Sequence, residues 1–238
     1  LIRRDTNKFL LERNYDRRIK STERNSRKDI IEAARVVFAE NGLTGTKMKN
    51  IAQKAGVSQA LIYKHFSSKE ELYNEVQRFS RSLWAVHFKG LRGLTPGTEA
   101  LVFFIYTIFQ TILFEMPEHG NEQKTHEGLL FRSLTGDTEY ARRHFKLMES
   151  HLNDQIVIAS FEAAKKAGDL TDSPITYENR MRFIHHLAMA LNLTNFSGTP
   201  VYGDDTPLPM LSDDAVLFCL KGIGLTDQAI QRYFQPKK

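Results

Sequence analysis

The stretch from Asn41 to Lys69 restricts the fold most. It carries Lys47, Lys49, Lys54, Lys64 and Lys69 and no Asp or Glu, and within it Ala52, Gly56 and Ile62 stand four and six residues apart. Two short helices meeting at a tight turn satisfy that spacing: a small residue where they cross, a glycine where the turn needs positive φ, and a branched residue pointing back into the angle. Ile51, Ala55, Val57 and Phe66 supply the rest of a small core, and Thr46 and Ser58 stand where each helix needs an N-cap. An acid-free window in a chain one quarter charged predicts a surface that does not repel phosphates. Taken singly, each of these features also fits a plain structural hairpin.

The flanks read as helices too. Ser26-Arg-Lys-Asp29 fits a capping box, Ile30, Ala34, Val37 and Phe38 form one buried stripe, and Asn41-Gly42 ends the element. Ser67 and Ser68 before Lys69-Glu70-Glu71 open a fourth helix, with Leu72, Val76 and Phe79 on one face, that continues past Trp84. Residues 1–75 hold 16 basic and 10 acidic side chains, against 17 and 18 in residues 76–238. Much of the excess is an N-terminal arm: residues 1–28 carry ten basic and four acidic residues. Such a composition suits either an arm that follows a polyanion or a solvated tail.

Residues 30–76, from Ile30 through Phe38, Gly42, Thr46, Ile51-Ala52, Ala55-Gly56-Val57-Ser58, Tyr63, His65-Phe66, Lys69-Glu70 and Leu72, closely resemble the DNA-binding domain of the tetracycline-repressor (TetR) family of bacterial transcription regulators. The resemblance implies a homodimer whose two third helices enter successive major grooves of a palindromic operator. On that basis Thr46 and Lys47, opening the second helix, are expected to grip a backbone phosphate, where free N–H groups and the helix dipole favour an anion. Ser58, Gln59, Ala60 and Lys64 lie at the start or on the exposed side of the third helix. Gln59 has the amide to read an adenine, Lys64 the reach for a guanine edge or a phosphate, and Ala60 a methyl for thymine. Tyr63, His65 and Lys69 match family positions that hold phosphates and so set register without reading sequence. Lys49 is a further candidate. Tyr63 is also compatible with a core position, His65 with a helix C-cap, and Gln59 with a merely solvated surface.

Beyond residue 90 the periodicity stays helical. Gly90, Gly93, Pro96 and Gly97 form a turn, and an apolar run covers Leu101 to Phe114. Helices are predicted near residues 126–134, 138–166, 177–195, 212–221 and 226–234, with loops at 167–174 and 197–209. Thirteen of the sixteen Phe residues and the only Trp follow residue 76. A pocket for an apolar or aromatic ligand, which the resemblance makes an expectation, would draw on Trp84, Phe103, Phe104, Phe109, Phe131, Phe145, Met148 and Phe183, although each taken singly reads more readily as plain core. His144 and His151 share a helical face with Asp154 three residues on, while His185 and His186 point apart. No HExxH, cysteine cluster or nucleophile elbow accompanies them, so no metal, cofactor or catalytic site is expected. For dimerisation the helix Tyr177 to Asn195, with Ala188 and Ala190, and the helix near Ser212 to Lys221 are the candidates.

The expected architecture is therefore all α: a basic arm at 1–25, a three-helix helix-turn-helix DNA-binding domain at 26–75, and a helical ligand-binding and dimerisation domain at 76–238. A single Cys219 makes no internal disulfide, no secretory signal is evident, and the apolar run 101–114 falls short of the ~20 residues that span a bilayer, so a cytoplasmic protein is expected. The expected function is a ligand-responsive regulator, a repressor on the resemblance, with double-stranded operator DNA, a small-molecule effector and a second copy as partners and no membrane. The alternatives are a helical small-molecule-binding protein or enzyme with a vestigial helix-turn-helix, and an adaptor whose N-terminal helices bind protein.

Overall fold

The computed structural model describes residues 26–114, 120–136, 138–195 and 206–235, the side chains of 79–89, 92 and 120–123 excepted. The arm 1–25 and the Trp84 side chain thus lie outside the described residues. Among the described residues every regular element is helical, apart from one isolated antiparallel bridge between Leu170 and Leu225. The described residues form two compact units: those of 26–79 join those of 125–138, and those of 80–124 join those of 139–235.

The first unit contains α1 (26–45), α2 (Met48–Ala55), α3 (Gln59–His65) and the first half of α4 (Lys69–Phe88). Ile30, Phe38, Ile51, Ile62, Phe66 and Leu72 form its fully buried centre, with Phe38 meeting Tyr73 edge-on at 4.9 Å. Gly42 takes the left-handed conformation expected of it (φ 69°), yet the chain stays helical through residue 45. The last carbonyls of α1 then need donors, and the buried Thr46 hydroxyl supplies one, donating to Gly42 O (2.7 Å) and Val37 O (3.3 Å). Thr46 therefore does not cap α2: Lys47 occupies that place, with no side-chain hydrogen bond. The later segment 125–138 brings Leu129 and Arg132 to a cavity of about 380 Å³ shared with Phe38, Gly42 and Tyr73.

The second unit is organised by α5 (Thr98–Leu113), buried on most of its faces, which packs against α8 (Gln155–Lys166), α9 (Tyr177–Asn195), α10 (Leu208–Gly222) and α11 (Asp227–Tyr233). A helix apolar on nearly every side has to lie inside. The helix expected over 138–166 is two. α7 (Glu139–Leu152) stops at Asn153, and α8 begins behind Asp154, whose extended backbone and carboxylate, accepting from Ile156 N at 3.1 Å, make it an N-cap. α10 starts at Leu208, earlier than the periodicity suggests, because Pro209 in a first turn forfeits no intrahelical bond. α6 (Gly120–Thr135) contributes to both units, its residues from Thr125 onward to the first. Arg180 closes the lower loops: its guanidinium donates to the carbonyls of Ser173, Ile175 and Ile223 and stands over the Phe161 ring at 5.4 Å.

Candidate nucleic-acid interface

The α2–α3 turn is built from backbone. Gly56 adopts φ 66°, Val57 N–H donates to Ala52 O (3.0 Å) and Gly56 N–H to Gln53 O (3.3 Å), the crossed pair of a Schellman ending. A Cβ at Gly56 would meet nothing within 4 Å, so the left-handed backbone alone demands glycine. The Ser58 hydroxyl accepts from Leu61 N–H (3.2 Å) and starts α3 as the sequence predicts. Ile62 is the one α3 side chain fully enclosed, and Phe66 follows it into the core. This anchorage leaves Ser58, Gln59, Ala60, Tyr63 and Lys64 together on the uncovered side of the helix, Tyr63 being 52% exposed. Tyr63 is thus not a core residue.

Other side chains set the frame around α3. The Lys69 ammonium donates to Thr46 O (3.1 Å), joining the start of α4 to the segment that leads into α2. The Ser68 hydroxyl accepts from Glu71 N–H (3.0 Å), while the Glu71 carboxylate takes both the N–H and the hydroxyl of Ser67 at 2.6 Å. Those bonds, the Ser67 hydroxyl first, hold the Glu71 carboxyl below the usual range. One of the first acids after the window is therefore tied back into a capping arrangement. Arg27 pairs with Glu75 (2.6 Å) and lies over the Phe66 ring at 5.1 Å, a brace that periodicity had not singled out. Lys47 at the cap of α2 and Lys49 and Lys54 on the helix are exposed; His65 is half-buried with no hydrogen-bond partner at Nε2; Thr46 is buried and Lys69 half-buried.

The aromatic residues marked in the sequence do not gather around one hollow. Phe104 and Phe109 are enclosed on α5, Phe103 and Phe183 are exposed, and Phe131 belongs to the first unit. Phe145 and Met148 do line a cavity of about 460 Å³ between α7 and α9. There the helices run antiparallel: Tyr177 Oη donates to Leu152 O (2.7 Å), Arg182 faces Glu149 (3.9 Å), and the Phe145 ring meets His185 and His186 edge-on at 5.6 and 5.8 Å. His185 is buried; burial above all, and then His186, lowers its pKa to about 4, so it is neutral near pH 7, and its Nε2 has no hydrogen-bond partner. Sequence periodicity passed over the cations of this cavity, although Arg142, Phe145, Lys146 and Glu149 have the spacing of one helical face. The face expected to join His144, His151 and Asp154 is interrupted, because α7 ends at Leu152 and Asp154 caps the next helix. Among the described residues no group of three His, Cys, Asp or Glu could hold a metal ion.

A helix-turn-helix head and an all-α second unit built on a buried central helix define the class of helical DNA-binding regulators. Residues 30–76, about a fifth of the chain, match the family described as bacterial regulatory proteins, tetR family, so the first unit carries that family's N-terminal domain. It is 44% identical over 55 residues to the HTH-type transcriptional repressor KstR2 of Mycobacterium tuberculosis, a stretch covering 23% of this chain and 28% of that relative's own length. A bacterial regulatory protein of the tetR family from Rhodococcus RHA1 superposes with TM-score 0.61 at 18% identity, over 85% of this chain and 98% of the other. The transcriptional regulator FadR from Bacillus subtilis, solved in complex with stearoyl-CoA, does so with TM-score 0.57 at 18% identity, over 82% and 98%. These likenesses establish a shared fold. Among the described residues no helix is long and apolar enough to cross a membrane.

Proposed function

We infer that this chain is a transcriptional repressor that binds a palindromic operator as a homodimer and is released by a small-molecule effector. The observation that carries the reading is the α3 surface: Gln59, Ala60, Tyr63 and Lys64 stand uncovered on a helix pinned by Ile62 and Phe66, within a window free of acids. An amide, a methyl and a cation on one rigid short helix are the groups that read base edges in a major groove. Exposed Lys47 and Lys49, with Tyr63, His65 and Lys69, hold phosphates and fix register, and Thr46 acts through its carbonyl on Lys69.

Dimerisation is supported by apolar side chains that the second unit leaves in solvent. On α10, Met210 and Phe218 are 59% and 70% exposed two turns apart, and on α9 Leu193 is 53% exposed. Ala190 is exposed and available to a close helical contact, whereas Ala188 is buried within the unit. Two heads joined this way meet half-sites about one helical turn (~34 Å) apart. An effector that prefers a different spacing of the heads shifts the population and frees the DNA. The stearoyl-CoA held by the Bacillus subtilis regulator makes an apolar-bodied anion a reasonable effector class here.

A gel shift on the DNA upstream of the chain's own gene tests the reading. With six or more phosphate contacts, affinity falls by about a thousandfold between about 50 and 200 mM salt. Affinity indifferent to salt, or a Tyr63→Ala, Lys69→Ala double variant that binds every duplex as well as the parent, overturns it.

A further inference from the structure

The groove between α7 and α9 is electrically sorted along its length. Because the two helices are antiparallel, Arg142 and Lys146, one turn apart on α7, lie toward the end marked by His186, while Glu178 lies toward the end marked by Leu152 and Asn153. Between them Arg182 is engaged by Glu149 at 3.9 Å. Neither Arg142 nor Lys146 has an acidic partner among the described residues. Beside these two cations the floor is apolar, formed by Phe145, Met148 and Met181.

The lining also includes the neutral His185, 2% exposed, whose Nε2 is buried without a hydrogen-bond partner. A buried polar nitrogen left unmatched costs free energy unless something supplies the missing bond. Both the volume, about 460 Å³, and the reach from Arg142 to Asn153, about 16 Å at the helical rise, suit a small molecule.

From this arrangement we propose that the α7–α9 groove is the effector site, and that the effector is an anion with an apolar or aromatic body. Its acid group sits between Arg142 and Lys146, and its body lies along Phe145, Met148 and Met181. This rests on the regulator reading above and gives its effector a site, with a named cation pair for the acid group and a named apolar floor for the body. A cationic effector is disfavoured at the Arg142 end, and a wholly neutral one leaves both cations unused.

The test uses the full chain and two fluorescent probes of the same ring system: anilinonaphthalene sulfonate, which carries one acid, and N-phenylnaphthylamine, which carries none. The sulfonate should bind saturably at one per chain. In an Arg142→Gln, Lys146→Gln variant its dissociation constant should rise about tenfold or more, as expected for losing charge-assisted bonds, while the neutral probe changes less than about twofold. Phe145→Ala should weaken both probes. Sulfonate binding that ignores the double substitution, or that is never saturable, overturns the proposal. Since the probes are read without DNA, the two ideas fail separately. A chain that binds the sulfonate in this manner yet ignores every duplex removes the regulator reading and leaves the groove; a chain that binds duplex but not the sulfonate does the reverse.

Discussion

The surface around α3 in the first unit and the α7–α9 groove in the second use polar side chains in opposite places. In the first, the core under α3 is small and apolar, and the groups with chemistry to offer, Gln59, Tyr63 and Lys64, stand outside it. In the second, polar groups are drawn into the interior: Arg180 is buried with three carbonyl partners, and the buried His185 lines a groove between helices. A surface meant for a long polyanion has to be presented whole and rigid. A site for a small molecule has to be walled, and so depends on how separate helices meet.

Core truncation should separate the units most strongly. Ile62→Ala and Ile105→Ala each remove a fully buried side chain, one per unit, and each should cost about 2–5 kcal/mol in urea unfolding followed by circular dichroism. Only Ile62→Ala should also depress duplex affinity of the folded protein, since it loosens the seat of α3; equal losses of affinity from both would break the contrast.

Acid should act on both units alike. His126 in the first and His185 in the second are each lowered to about 4 from 6.5, burial being the main cause, with the Arg35 charge second for His126 and His186 second for His185. The unfolded chain binds these protons between pH 6.5 and 4 and the folded chain does not, so the stability they contribute is present above pH 6.5 and lost as pH falls toward 4. The loss is about 3 kcal/mol for each histidine. Urea midpoints at several pH values should fall accordingly, and His185→Leu should flatten the dependence of the second unit alone.

Glycine substitutions give a smaller and unequal pair. Gly56→Ala meets only backbone strain, about 1–2 kcal/mol, because space is open around it. Gly224, at φ 95°, would place its Cβ 3.1 Å from Thr171 O, so Gly224→Ala should cost more by thermal unfolding. A milder effect at Gly224 would mean that its loop yields easily. The smallest effects are expected at the caps: Ser58→Ala and Asp154→Ala should each cost about 1 kcal/mol, and of the two only the first should weaken duplex binding.

Much of the first unit was legible because its signals are local. Ser58 capping α3, Gly56 turning at positive φ and Ile62 facing inward each follow from a residue's own conformational chemistry over a few positions. Thr46 has the residue type of a cap but does not act as one, because the end of α1, three residues later than Gly42, depends on which carbonyls its hydroxyl finds. The helix end before Asn153 leaves no mark in the pattern, because apolar periodicity runs across it. Residue type alone marks the eight pocket candidates, and type does not say whether a phenylalanine faces a neighbouring helix or a hollow. Phe104 and Phe145 are the same residue in the sequence and opposites in the structure.

The amino-acid order alone determined that the chain is helical, where most helices begin and end, and that one acid-free turn between two short helices is suited to an anion. These are matters of spacing within about ten residues, where backbone and side chain interact directly. Only tertiary structure decided that residues 125–138 join the first unit and that the face carrying Arg142, Phe145 and Lys146 meets a buried His185. Such neighbours come from segments forty or more residues apart along the chain, and the register in which two apolar faces meet is chosen by how the helices pack together.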